Sequence, residues 1–260
     1  KEIKMVEYVY GRTDCTPEEA GYSEKRLKVL SDYCASLVNA GRVQATGFLM
    51  ARRGRVFAHQ AAGSLNHKEN SPRIKVDSIK RIASITKVFT AAAVMKLVED
   101  GKLWLEQPVS DILPEFRNQQ HGTINLWNLL THTSGLPADP GYFQEPYPVD
   151  WFGLLDTDNW IKVILSGPVQ NRPGEKWNYC SLGFIILGEV ISRVSGCHYN
   201  DFLEQQIFKP LGLEKTFLEV PKEMENEVCI RTDLDAEKIS KSRTRLKNRP
   251  SASAGGIYST

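Results

Sequence analysis

Little in this chain points toward metals, disulfides, nucleic acid or a bilayer. Its five cysteines (Cys15, Cys34, Cys180, Cys197 and Cys229) are an odd number without Cys-x-x-Cys spacing, which argues against a disulfide framework and against a zinc site. The five histidines show no ligand spacing either. His132 comes nearest to a motif, and it is read as a helix-end histidine bonding nearby backbone rather than as a catalytic base. A net charge of +2, from 33 basic and 31 acidic residues, gives no reason to expect nucleic acid or an anionic membrane as partner. No run of about 18 apolar residues is present, so no transmembrane segment is expected. The stretch Lys1 to Tyr10 has no signal-peptide layout and no initiator Met, so a processed or trimmed form is expected and the compartment stays open.

What is present is ordinary for a soluble globular protein, with 41% hydrophobic and 25% charged residues, enough for one large domain or two lobes. One stretch stands apart. From Ser84 to Met95 nearly every residue is apolar or small on all sides of a helical wheel, the composition of a buried helix, and Lys87 is its only charge. A lysine placed there must find partners or give up its proton, and deleting it would relieve a buried charge. Ser84 precedes it by three residues, on the same face at roughly 5–6 Å between Cβ atoms. A hydroxyl beside such an amine is the arrangement of an activated nucleophile, and the first helical turn adds N–H groups that favour a developing anion. Ser-x-x-Lys arises by chance about once in a chain of this length. Its place at the start of the most apolar helix is what raises it above chance.

Along the chain, Ser23 caps a helix with an apolar face of Leu27, Leu30, Cys34, Leu37 and Val38, ending near Gly41. Gly47 to Arg52 and Arg55 to Ala61 flank Arg53-Gly54 as a β-hairpin. A polar loop from Ser64 to Asp77 leads to the Ser84 helix, closed by Gly101. Further helices are expected at Asn125 to Leu130, Asn159 to Leu165, Leu182 to Val194 and Asp201 to Phe208. The stretch Pro137 to Asp158, with Tyr142, Phe143, Tyr147, Trp151 and Phe152, reads as an ordered loop; these aromatics and Trp177 are taken as core rather than substrate wall. Glu219 to Pro250 is charged and weakly patterned, hence expected as an exposed or partly disordered excursion. Two strands cannot make a stable sheet, and Ser259-Thr260 reads as an N-cap with no helix after it. The chain is therefore expected to be C-terminally incomplete, its sheet finished by strands beyond Thr260.

Four stretches occur together and in order: Arg81-Ile82-Ala83-Ser84-Ile85-Thr86-Lys87, Leu129 to Pro137, Pro173 to Ser181, and Ser253 to Thr260. This set resembles the serine β-lactamase and penicillin-binding-protein superfamily, on the branch of class C β-lactamases, family VIII carboxylesterases, D-aminopeptidases and related acyltransferases. The resemblance spans roughly residues 20 to 260. It implies Ser84 as the acylated nucleophile, Lys87 as its buried partner and Tyr179 as the first residue of a Tyr-x-Asn motif that shares acid–base duty. The third residue here is Ser181 rather than Asn. A hydroxyl at this substrate-binding position lacks the amide's donor, which weighs against β-lactam recognition. The Ser84 N–H would give half of an oxyanion hole, with the other half and a Lys-Thr-Gly or His-x-Gly strand expected beyond Thr260.

The expected fold is α/β (α+β) of β-lactamase/transpeptidase type: an antiparallel sheet flanked by helices, plus a mostly helical lobe. Residues 20–63 belong to the α/β lobe, 64–211 to the helical lobe with Ser84 at the junction, and 212–260 return toward the first. The expected activity is acyl transfer through a Ser84 acyl-enzyme on small ester or amide substrates, to water or an alcohol, without metal or organic cofactor. A β-lactamase or D-amino-acid peptidase is the alternative within that chemistry, and a non-catalytic binding or sensing module is the alternative outside it. The oligomeric state is left open.

Overall fold

A computed structural model describes residues 6–137, 159–242 and 250–260. The expected loop aromatics from Tyr142 to Phe152 lie outside the described residues. In chain order the elements are β1 (Tyr8–Tyr10), α1 (Glu24–Asn39), β2 (Ala45–Arg52), β3 (Arg55–Gly63), β4 (Lys80–Arg81) and α2 (Thr86–Glu99). They continue with α3 (Leu126–Leu130), α4 (Trp160–Leu165), α5 (Ser181–Ser195), α6 (Tyr199–Leu203), α7 (Asp233–Ser242) and β5 (Tyr258–Ser259). The described residues form two compact units, one of 6–81, 219–242 and 259–260, the other of 82–137, 159–218 and 250–258. Residues 64–81 thus cluster with the hairpin, where the sequence pattern starts the helical lobe at 64.

In the first unit, Ser23 caps α1 by accepting from the Arg26 N–H. The helix buries Ser31 and Ala35, while Leu30 is 37% exposed, so the apolar face read from sequence is only half covered among the described residues. Arg53 (φ 50) and Gly54 (φ 76) both take positive φ. That is the I′ geometry whose twist matches a two-residue hairpin, and β2 and β3 pair antiparallel on either side of it. A third strand, β1, pairs antiparallel with β3, giving the order β1-β3-β2. The expectation of a lone hairpin is corrected by these three residues, an aromatic and β-branched run too short to stand out in sequence.

The described part of the charged segment, residues 219–242, is tied into the first unit by backbone pairing, where composition suggests an exposed or partly disordered excursion. Cys229 donates to the Ile79 carbonyl and Ile230 to that of Leu65, and α7 follows with Ile239 buried. Backbone pairing and three buried apolar side chains, Val220, Val228 and Ile239, hold residues 219–242 in place.

The second unit carries the large core, drawn from α2, α5, α6 and the short pieces between them. α2 is not buried all round. Thr86, Lys87, Thr90, Ala93, Val94 and Leu97 are buried, whereas Ile85, Val88 and Met95 are exposed in the described chain. The segment 251–257 runs against α2 and α5. It comes so close that a Cβ at Gly188 would sit 2.2 Å from Ser251 Oγ and 2.8 Å from Ser253 Cβ.

Rotating a hydroxyl cannot relieve a contact with Cβ. Gly188→Ala is therefore expected to destabilise the protein by about 1–3 kcal/mol, overriding the helix-propensity gain of roughly 1 kcal/mol. Urea denaturation checks this, and an unchanged or raised midpoint would mean that the segment shifts freely.

Candidate active site

Ser84 lies in a single 3-10 turn, Ala83–Ile85, that leads directly into α2. The preceding Ala83 has φ 46, a left-handed conformation that costs a non-glycine residue of order 1 kcal/mol or more and persists only where neighbours hold it. The neighbours here are specific. Ile82 N–H donates to the Ile257 carbonyl at 2.9 Å, and Ile257 N–H donates to Thr86 Oγ1 at 3.1 Å, pinning the chain on both sides of the strained residue.

One turn further on, Lys87 is only 7% exposed. Its Nζ donates to Ser84 Oγ at 3.2 Å, to Ser181 Oγ at 2.9 Å and to the Ala254 carbonyl at 2.9 Å. Three polar partners around one amine head group satisfy it out of water. The same Nζ lies 4.8 Å from the centroid of the Tyr179 ring and 5.7 Å from that of Phe184. Ser84 is exposed, so the hydroxyl is held by a buried partner yet open to a reactant.

Tyr179 and Ser181 are positioned by two loops zipped together. Gln170 N–H donates to the Gly135 carbonyl, Gly174 N–H to Thr133 and Asn178 N–H to His132, at 2.7–2.8 Å. Close approach at Gly135 (φ 77), where a Cβ would fall 2.1 Å from the Asn171 carbonyl, makes this zipper possible. Ser181 then opens α5 as its first residue, after Cys180 at the N-cap. His132 holds Cys180 in turn: its Nδ1 accepts the Cys180 N–H at 3.1 Å, which leaves the ring proton on Nε2. Its ring also packs against Tyr179 with centroids 4.5 Å apart.

All four residues singled out from sequence come together: Ser84, Lys87 and Ser181 by hydrogen bonds, and Tyr179 by its ring. The His132 ring bonds the backbone of a residue 48 positions away, while its N–H donates to the Leu129 carbonyl of its own helix end. Trp177, read as core, is instead 63% exposed beside this cluster, with ring centroids 6.2 Å from His132 and 6.4 Å from Tyr179. Two contributors were not assigned from sequence. One is the Ala254 carbonyl, which offers no side chain to recognise; the other is the contact of His132 with Tyr179, for which the only sequence signal was proximity to a helix end.

A family model described as Beta-lactamase matches residues 30–260. Penicillin-binding protein 4* of Bacillus subtilis is 31% identical over 170 residues, covering 65% of this chain and 36% of that protein. Esterase EstB of Burkholderia gladioli is 32% identical over 180 residues, covering 64% and 44% respectively. A crystal structure of a beta-lactamase/D-alanine carboxypeptidase from Yersinia pestis superimposes with a TM-score of 0.67 at 26% identity, over 92% of this chain and 66% of that one. The chain spans about half the length of the curated relatives it matches, or less. Its antiparallel sheet with helices is the β-lactamase/transpeptidase-like fold, and the chain belongs to the beta-lactamase family.

Proposed function

We propose that this protein is a serine hydrolase that works through a Ser84 acyl-enzyme on small ester or amide substrates. The observation that carries this reading is the bond from the buried Lys87 Nζ to the exposed Ser84 hydroxyl at 3.2 Å. In the proposed reaction Ser84 Oγ attacks the substrate carbonyl carbon while its proton passes to the Lys87–Tyr179 pair. The carbonyl oxygen takes the negative charge near the N–H groups of the first helical turn. The bond to the leaving alcohol or amine then breaks, and the leaving group takes the proton. Water, or an acceptor alcohol, attacks the acyl carbon in its turn; Ser84 Oγ departs and regains a proton, releasing an acid or a new ester. No step calls on a metal or an organic cofactor.

Two relatives carry different names, an esterase and a penicillin-binding protein, and Ser181 favours the first. It accepts from Lys87 and presents a hydroxyl where an amide would offer a further donor to a substrate carbonyl. A missing hydrogen bond of this kind is worth about 1–1.5 kcal/mol, roughly ten-fold in rate. The expected outcome is that kcat/KM for a p-nitrophenyl ester exceeds that for a chromogenic cephalosporin by about ten-fold or more. Ser181→Asn is expected to narrow the gap. A cephalosporin turned over faster than the ester by the wild-type protein would transfer the assignment to β-lactam or D-amino-acid peptide chemistry. No turnover of either, with Ser84 unreactive, would favour a binding or sensing module.

A further inference from the structure

Behind Lys87, on the same face of α2, stands Thr90, wholly buried. Its Oγ1 lies 2.7 Å from the Ser253 carbonyl and 2.7 Å from the Tyr199 hydroxyl, with the Thr86 carbonyl farther away at 3.4 Å. A carbonyl can only accept, so the single Thr90 proton is committed to Ser253. The Tyr199 hydroxyl must then be the donor to Thr90. The result is a directed chain: Tyr199 O–H to Thr90 O–H to the Ser253 carbonyl.

The chain ends one peptide away from the Ala254 carbonyl that accepts from Lys87. Ser253 is fixed from its other side as well, since its Oγ donates to the Phe184 carbonyl at 2.9 Å. Tyr199 is 0% exposed, and that burial pushes its hydroxyl strongly toward the protonated, donating form. Two buried hydroxyls that touch no open surface are thus tied to the backbone that sets where Lys87 points. Buried polar chains of this sort cost free energy when incomplete.

We propose that Thr90 and Tyr199 are positioning residues that act through the Ser253–Ala254 backbone to hold Lys87 Nζ against Ser84. The proposal rests on Ser84 being the nucleophile, and it predicts a loss of reactivity rather than of binding. A displacement of about 1 Å in a reacting group can cost up to 10²-fold.

The test follows acylation of Ser84 by a fluorophosphonate across pH in wild type, Thr90→Val, Thr90→Ser and Tyr199→Phe, with peptide mapping of the adduct and a thermal melt for each. Thr90→Val is expected to slow acylation about ten-fold or more and to displace the pH at half-maximal rate. Thr90→Ser should restore both, and Tyr199→Phe should give a smaller loss in the same direction, while KM for a p-nitrophenyl ester changes little. If Thr90→Val does not fold, the Tyr199→Phe profile decides. Profiles of Thr90→Val and Tyr199→Phe that superimpose on wild type, whatever their melting temperatures, overturn the positioning role and leave Ser84 intact. Absence of an adduct on Ser84 in the wild-type protein overturns both readings at once.

Discussion

Ser84→Ala is expected to lower turnover of a p-nitrophenyl ester by about 10⁴-fold or more, the scale seen when a nucleophile is removed from a cooperating set. The same change is expected to erase labelling by a fluorophosphonate, which in the wild-type protein should map to the peptide containing Ser84 and to no other serine. Physical grounds single this residue out. It is exposed, while its partner Lys87 is nearly sealed from solvent and directed onto it. Its stability effect should be small, because the removed hydroxyl is at the surface and Lys87 keeps two of its three acceptors. Label on a different serine, with the Ser84 peptide clean, would remove the nucleophile assignment regardless of how well the variant folds.

Lys87→Ala is expected to cost on the order of 10²-fold or more in the same assay, and Tyr179→Phe a comparable factor, the usual range for lost acid–base help. The two differ in what they do to the fold. Composition alone suggests that deleting a lone charge from an apolar helix stabilises it. The hydrogen bonds reverse that sign. Lys87→Ala removes the donor to the half-buried Ala254 carbonyl and the tie from α2 to Ser181 of α5, at about 1–3 kcal/mol. A lowered urea midpoint with near-native spectra is the expected result. Tyr179→Phe keeps the ring that packs on His132 and faces Lys87, so its midpoint should fall less than that of Lys87→Ala while its activity falls. Full activity in Tyr179→Phe would return the residue to packing alone.

The part of this site that the sequence made legible is the part written locally. Ser84 and Lys87 are three residues apart on one helix, so their meeting follows from helix geometry alone. Tyr179 and Ser181 became legible only through a motif shared with a family, because nothing local says that the start of α5 faces α2. The Ala254 carbonyl was beyond reach: it is 167 residues from Lys87, and every residue type supplies such an oxygen. For the fold, the hairpin was signalled by its turn residues, whereas β1 is three residues long and carries too little pattern to detect. Residues 219–242 are held by backbone pairing with Leu65 and Ile79, which periodicity cannot reveal. The exposure of Val88 and Ile85 was missed because composition does not say which side of an apolar helix finds a neighbour.

The bond between Lys87 and Ala254 also sets a schedule. During synthesis at about 5–20 residues per second, the Ala254 carbonyl follows Lys87 out of the ribosome by roughly ten to thirty seconds. Through that interval α2 can form, but three of the contacts that hold its lysine and its strained entry turn do not yet exist. The proposed nucleophile is consequently assembled late, when a segment near residue 254 closes a loop of more than a hundred and fifty residues onto a helix made long before. A nascent chain halted ahead of that segment carries the Ser-x-x-Lys sequence without the geometry that would make it reactive.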